Sequence, residues 1–155
     1  MSVARLSGYA SVFNAADENG DIVRPGAFRT SLIRRPAAAV RMLYQHQADR
    51  PIGRWTRLTE TERGLYVEGE ISLDTAAGRE ANALVRFGAV DGLSIGFRAR
   101  RARARKGGRD LLAVDLWEIS VVTFPMAEGA RIARITGPED DLATDMRAAA
   151  RRLTA

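Results

Sequence analysis

The chain has 155 residues, 46% of them hydrophobic and 28% charged, with a net charge of +5 and a pI of about 10.6. That length suits one domain with a real core. With no cysteine and a single histidine, a disulfide framework, a thiolate metal site and an ordinary zinc site are excluded. No apolar run is long enough to cross a membrane and no signal-peptide pattern opens the chain, so the residues predict a cytosolic protein.

Leu6 to Phe13 reads as a strand, with Gly8 as a bulge. Asn14 to Asp21 is a loop; it resembles half a calcium loop, but the glutamate needed at the twelfth position is Phe28, so a turn is the reading. Pro25-Gly26-Ala27-Phe28 opens a short helix to Arg34, and Pro36 ends it. Val40 to Gln45 is an apolar strand running up to His46. Gln47 to Pro51 reads as a turn and Ile52 to Leu58 as a strand. Leu65, Val67, Gly69 and Ile71 alternate with Tyr66, Glu68, Glu70 and Ser72, the period of a half-buried strand in an antiparallel meander.

Asp74 or Thr75 caps a helix over 76–87, with Ala77, Ala81, Leu84 and Val85 as its stripe and Gly88 as its stop. Two long strands follow, Leu93 to Arg105 and Leu111 to Phe124, joined around Gly107-Gly108. A short strand over 131–135 precedes a last helix with acids first (Glu139, Asp140, Asp141) and arginines last (Arg147, Arg151, Arg152). The fold class expected is α+β: a mostly antiparallel β-barrel with a few helices around it. Residues 1–136 form the domain and residues 137–155 a helix or tail.

Ser94 lies between two glycines in Gly92-Leu93-Ser94-Ile95-Gly96, a bare backbone that another chain can approach. The string G-x-S-x-G suggests an α/β-hydrolase elbow, but that needs a following helix and a later histidine. Here the run continues as a strand and His46 precedes Ser94. A hydrolytic site built from these residues has Ser94 as nucleophile, His46 as base and Glu118 as the carboxylate orienting the imidazole. Glu118 stands between Trp117 and Ile119 in an apolar strand, where a charge calls for a partner. The bland readings are a serine at a bend, a surface histidine and a glutamate on a wet face.

Register tests the idea. A two-residue loop at Gly107-Gly108 sets Ser94 opposite Val121 and Glu118 opposite Phe97, on opposite faces. A bulge or an odd-length loop brings both to one face.

Gly8-Tyr9-Ala10-Ser11-Val12-Phe13, Asn19-Gly20-Asp21 and Pro25-Gly26-Ala27-Phe28 resemble the opening of tailed-phage prohead proteases. Leu43-Tyr44-Gln45-His46 with Pro51-Ile52-Gly53 resembles their histidine motif, the segment around Ser94 their serine motif, and Glu118 to Pro125 their closing motif. The resemblance spans about residues 7–130. It implies an assemblin-like β-barrel, related to the herpesvirus assemblins, and a serine endopeptidase that needs no cofactor. It implies action inside the procapsid, in the host bacterial cytoplasm, on scaffold segments of the major capsid protein and on itself. It carries the nucleophile to Ser94 and the base to His46. Assemblins use a second histidine where Glu118 stands here, with Asp49 and Asp91 as fallback candidates. The oxyanion donor falls near Phe124 or Met126, since Pro125 has no N–H. By analogy with assemblins, a homodimer is implied. A phage, a prophage and a gene transfer particle all fit as sources.

A second class of function is a binding or assembly module. Arg98, Arg100, Arg101, Arg103, Arg105, Lys106 and Arg109 crowd one hairpin and offer a row of charge to phosphates. In the protease reading the same row holds an acidic scaffold segment or meets packaged DNA. Few aromatics interleave with it, so base stacking is not indicated.

Overall fold

Leu65, Val67 and Ile71 are fully buried on a strand whose other face is partly wet, so the alternation in the sequence is the pleat of the sheet. The structure, a computed structural model, describes residues 1–155. The strands are β1 (Val3–Val12), β2 (Ile22–Val23), β3 (Arg41–Tyr44), β4 (Gln47–Glu60), β5 (Gly64–Ser72), β6 (Gly92–Arg105), β7 (Gly108–Val122) and β8 (Ile132–Thr136). The helices are α1 (Arg29–Arg34), α2 (Ala76–Phe87) and α3 (Pro138–Leu153), with a 3-10 turn at Ala37–Ala39.

All eight strands join one sheet, in the order β2-β7-β3-β4-β5-β1-β8, with β6 on β7. The fold is therefore mixed α+β. β3, β4, β5 and β1 pair antiparallel, but β3 and β2 run parallel to β7. The parallel contact brings the end of β3 beside Ser120 and Val121, and it fixes the site.

The expected closed barrel does not form. The β6 and β8 edges meet only at the isolated bridge Gly92–Arg131, flanked by Leu93 N–H to Ala130 O (3.0 Å) and Ile132 N–H to Asp91 O (2.8 Å). Beyond that point β6 carries arginines at exposed positions, which a closing strand would have to bury.

Core side chains come from nearly every strand: Leu6, Met42, Ile52, Trp55, Leu65, Ile71, Leu93, Leu111, Leu116 and Ile119, with Phe28 from the turn before α1. Each such side chain contributes roughly 1.5–3 kcal/mol by leaving water. α2 covers β4 and β5 with Ala81 and Val85. The Thr75 side chain caps its start by accepting the Gly78 N–H at 3.0 Å, and Gly88 ends it in the left-handed region at φ 87°. Phe87, in its last turn, is exposed.

α3 buries none of its residues. Ion pairs hold its first turn: Arg86 to Glu139 and Asp140, and Arg5 to Asp141. The Arg86 hydrogen bond, and then the Gly137 N–H that Asp140 accepts at 2.7 Å, pull the Asp140 pKa down to about 2.

Candidate active site

His46 sits at the tip of the β3–β4 hairpin. The turn is Gln45-His46, not 47–51: Tyr44 pairs with Gln47, and both tip residues have positive φ, 55° and 57°. Residues 47–51 already belong to β4, with a bulge before Pro51, which has no N–H to give the ladder. Two left-handed residues in a two-residue loop mark a type I′ turn, which favours Asn and Gly. Each non-glycine there costs on the order of 1–3 kcal/mol.

The end of β7 restrains both residues. Gln45 N–H donates to Val121 O at 2.9 Å, its Nε2 to Thr123 Oγ1 at 2.7 Å, and its Oε1 accepts the Thr123 N–H at 3.2 Å. His46 N–H donates to Ser120 Oγ at 3.0 Å.

The imidazole meets Glu118 through a hydrogen bond between Nδ1 and Oε1. The other oxygen, Oε2, accepts from Ser120 Oγ at 2.8 Å. Glu118 is mostly buried and His46 about half exposed. The carboxylate's hydrogen bond raises the His46 pKa above the ordinary 6.5, against a smaller opposing effect of burial. An ionised carboxylate only accepts, so the shared hydrogen sits on Nδ1 and leaves the Nε2 lone pair free.

Ser94 comes to the same place by register. The β6–β7 loop is Lys106-Gly107, not Gly107-Gly108, since Arg105 pairs with Gly108. From there the ladder would set Ser94 opposite Ile119. Trp117 bulges between the pairs Gly96–Glu118 and Phe97–Leu116, and this one-residue slip sets Ser94 opposite Ser120. Ser94, Ser120, Gly96 and Glu118 therefore share one face. Gly96 leaves the space that Glu118 occupies, and Gly92 the space for the Pro125 ring: a Cβ at either would come within 2.7 Å of its neighbour.

Ser94, which is buried, and His46 line one cavity of about 200 Å³. Apolar side chains line most of it, among them Ala10, Val12, Leu93, Phe97, Ala127 and Ala130, and Asp17, Asn19, Asp21 and Arg109 line it too. Arg109 grips Asp21 with two bonds of 3.0 and 2.7 Å and holds its pKa low. Met126 lines the cavity, whereas Phe124 is turned to solvent.

Of the other acids, Asp91 is exposed and paired with Arg131 at 2.7 Å, and Asp49 is exposed on β4 with no ion pair. Neither meets His46. Sequence reasoning missed Ser120. The spacing Glu118-x-Ser120 on a strand was a usable signal, because it sets both side chains on one face.

The basic hairpin is not an open row of charge. Asp110 takes Arg103 and Arg105 together with Arg24, Asp115 takes Arg100 with Arg35, and Asp21 takes Arg109. Hydrogen bonds from Arg103 hold Asp110 low; burial would raise Asp115, but Arg100 and Arg35 outweigh it. Arg98, Arg101 and Lys106 make no ion pair.

The fold is similar to those of two solved viral proteases. A Kaposi's sarcoma herpesvirus (KSHV) protease bound to a hexapeptide phosphonate inhibitor superposes with a TM-score of 0.62 at 13% identity, over 86% of this chain and 65% of that one. The bacteriophage T4 capsid assembly protease gives 0.62 at 12% identity, over 76% and 80%. Such identities speak to fold alone. Residues 2–141 match the model for the caudovirus prohead serine proteases, and the chain belongs to that family.

It is 39% identical over 132 residues to the prohead protease of Enterobacteria phage HK97, covering 83% of this chain and 58% of that protein. To the prohead protease of Escherichia phage T5 it is 30% identical over 130 residues, covering 79% and 59%. The chain thus spans less than two thirds of the length of these relatives.

Proposed function

We propose that the chain is a serine endopeptidase that cleaves scaffold segments of a phage major capsid protein, and itself, inside the procapsid. The observation that carries this reading is the His46–Glu118–Ser120 network, set on the same cavity as Ser94. Family membership and the printed names of the phage relatives support the capsid substrate.

In the proposed reaction the Ser94 Oγ bonds to the scissile carbonyl carbon and gives its proton to His46 Nε2. Glu118 stabilises the imidazolium formed. His46 passes the proton to the leaving amine as the C–N bond breaks, leaving an acyl-Ser94. Water, deprotonated by His46, then releases the acid. The backbone N–H of Met126 is the favoured oxyanion donor, because Met126 lines the cavity and Phe124 does not. A general base of this kind is worth about 10²–10⁴ in rate.

The direct test is a fluorophosphonate probe followed by intact mass and peptide mapping. One covalent adduct on Ser94, absent from Ser94→Ala, supports the reading. Labelling elsewhere, or none in folded protein with the capsid protein present, refutes it.

A further inference from the structure

Ser120 has no exposed surface. A hydroxyl taken out of water costs about 1–3 kcal/mol unless it is bonded. Here both capacities are filled: Oγ accepts the His46 N–H at 3.0 Å and gives its only hydrogen to Glu118 Oε2 at 2.8 Å. Its neighbour across the ladder is Ser94. Buried, and with that hydrogen committed, Ser120 is not a second nucleophile.

We infer that Ser120 is a positioning residue, which locks the His46 backbone and the Glu118 carboxylate into one arrangement so that Oε1 meets Nδ1. The inference rests on the protease reading. A glutamate has two equivalent oxygens and a soft terminal torsion. Fixing Oε2 on Ser120 aims Oε1 at the imidazole. The same hydroxyl holds the N–H of a residue in a disfavoured left-handed conformation. Remove the hydroxyl, and Glu118 can turn, His46 can relax, and both lose a partner inside the protein. Glu118 is the charged group acting on His46. Asp17, Asp21 and Arg109 line the same cavity, but Arg109 is paired with Asp21, and none of the three bonds to His46.

The chain's single histidine makes this directly readable. The parent is Ser94→Ala labelled with ¹⁵N-histidine, and the measurement is an NMR titration of the His46 ring with detection of its Nδ1 proton. Ser120→Ala removes the hydroxyl. Ser120→Cys keeps nearly the same volume and replaces a good donor by a weak one.

In both variants the His46 midpoint is expected to fall toward 6.5, with the downfield Nδ1 proton signal lost or broadened. With Ser94 restored, kcat falls about 10- to 100-fold, less than on loss of the base itself, and KM stays within about twofold. An unchanged midpoint and Nδ1 signal in a folded variant overturns the inference. If Ser120→Ala does not fold, Ser120→Cys decides alone. The titration needs no activity. A chain that cleaves nothing therefore sinks the protease reading while the midpoint still judges Ser120.

Discussion

Gly96 and Glu118 face each other across β6 and β7, and a Cβ on Gly96 would lie 2.7 Å from the Glu118 carboxyl carbon. The second glycine of the serine motif thus makes room for the carboxylate that meets His46. Gly96→Ala should push Glu118 off the imidazole while leaving the strand pairing intact. The expected result is a lower His46 midpoint by NMR and a loss of kcat of about tenfold or more, with a cooperative melt retained. Unchanged kcat would separate Gly96 from the site.

Glu118→Gln keeps the size and removes the charge. The hydrogen bond and charge that raise the His46 pKa are then lost or weakened, and the imidazolium formed during catalysis has no counter-charge. Peptidase activity should fall by about 10²–10⁴, measured on a capsid-derived peptide. Asp49→Asn should leave it unchanged, since Asp49 has no contact with His46.

His46 must be neutral to act as a base, so kcat/KM should rise with pH through a midpoint above 6.5. Stability runs the other way. A raised folded-state pKa means His46 contributes fully below 6.5 and loses that contribution as pH rises through the folded value. The lowered carboxylates Asp21, Asp110, Asp115 and Asp140 contribute above 3.8 and lose it as pH falls, toward about 2 for Asp140. Thermal melts should be flat in mild acid and drop below about pH 4. Catalysis and His46-linked stability should titrate in opposite directions, followed by kinetics and by calorimetry.

Much of the frame was legible locally. The alternation in β5, the Thr75 and Gly88 caps of α2 and the acid-to-arginine run of α3 are all short-range signals. What stayed hidden was non-local. Nothing near Arg41 says that β3 will run parallel to β7, and nothing near Gln45 favours a type I′ turn over a strand end. Its strain is offset by Thr123 and Val121, far away in sequence. The Trp117 bulge decides whether Ser94 and Glu118 share a face; Trp117 is half exposed beneath the Arg35 guanidinium, 3.8 Å from the ring centroid. The Glu118-x-Ser120 spacing puts both side chains on one face of a strand, but that their hydroxyl and carboxylate meet His46 follows only from the parallel β3–β7 pairing. The arginines of β6 looked free because Asp21, Asp110 and Asp115 are matched to them only in three dimensions.

The arginine clusters give a stability prediction. Asp110→Asn leaves Arg24, Arg103 and Arg105 without a counter-charge, whereas Asp49→Asn changes an exposed carboxylate with no ion pair. Asp110→Asn should lower the melting temperature clearly more than Asp49→Asn. Equal effects would mean the cluster is screened by water.

α3 is expected to behave as an appendage. Its Leu142, Met146 and Leu153 are exposed, and only its first turn is tied to the body. Its amides should exchange well ahead of those of β5 and β7. A chain ending at Gly137 should keep the His46 NMR midpoint of the full chain.

The most direct measurement is co-expression with the cognate major capsid protein, wild type beside Ser94→Ala, with intact mass spectrometry of both chains. A prohead protease of this mechanism shortens the capsid protein in the wild type and leaves it whole with Ser94→Ala, the fragment masses marking the cleaved bond. Full-length capsid protein with the wild type under assembling conditions, or identical fragments with Ser94→Ala, would contradict it.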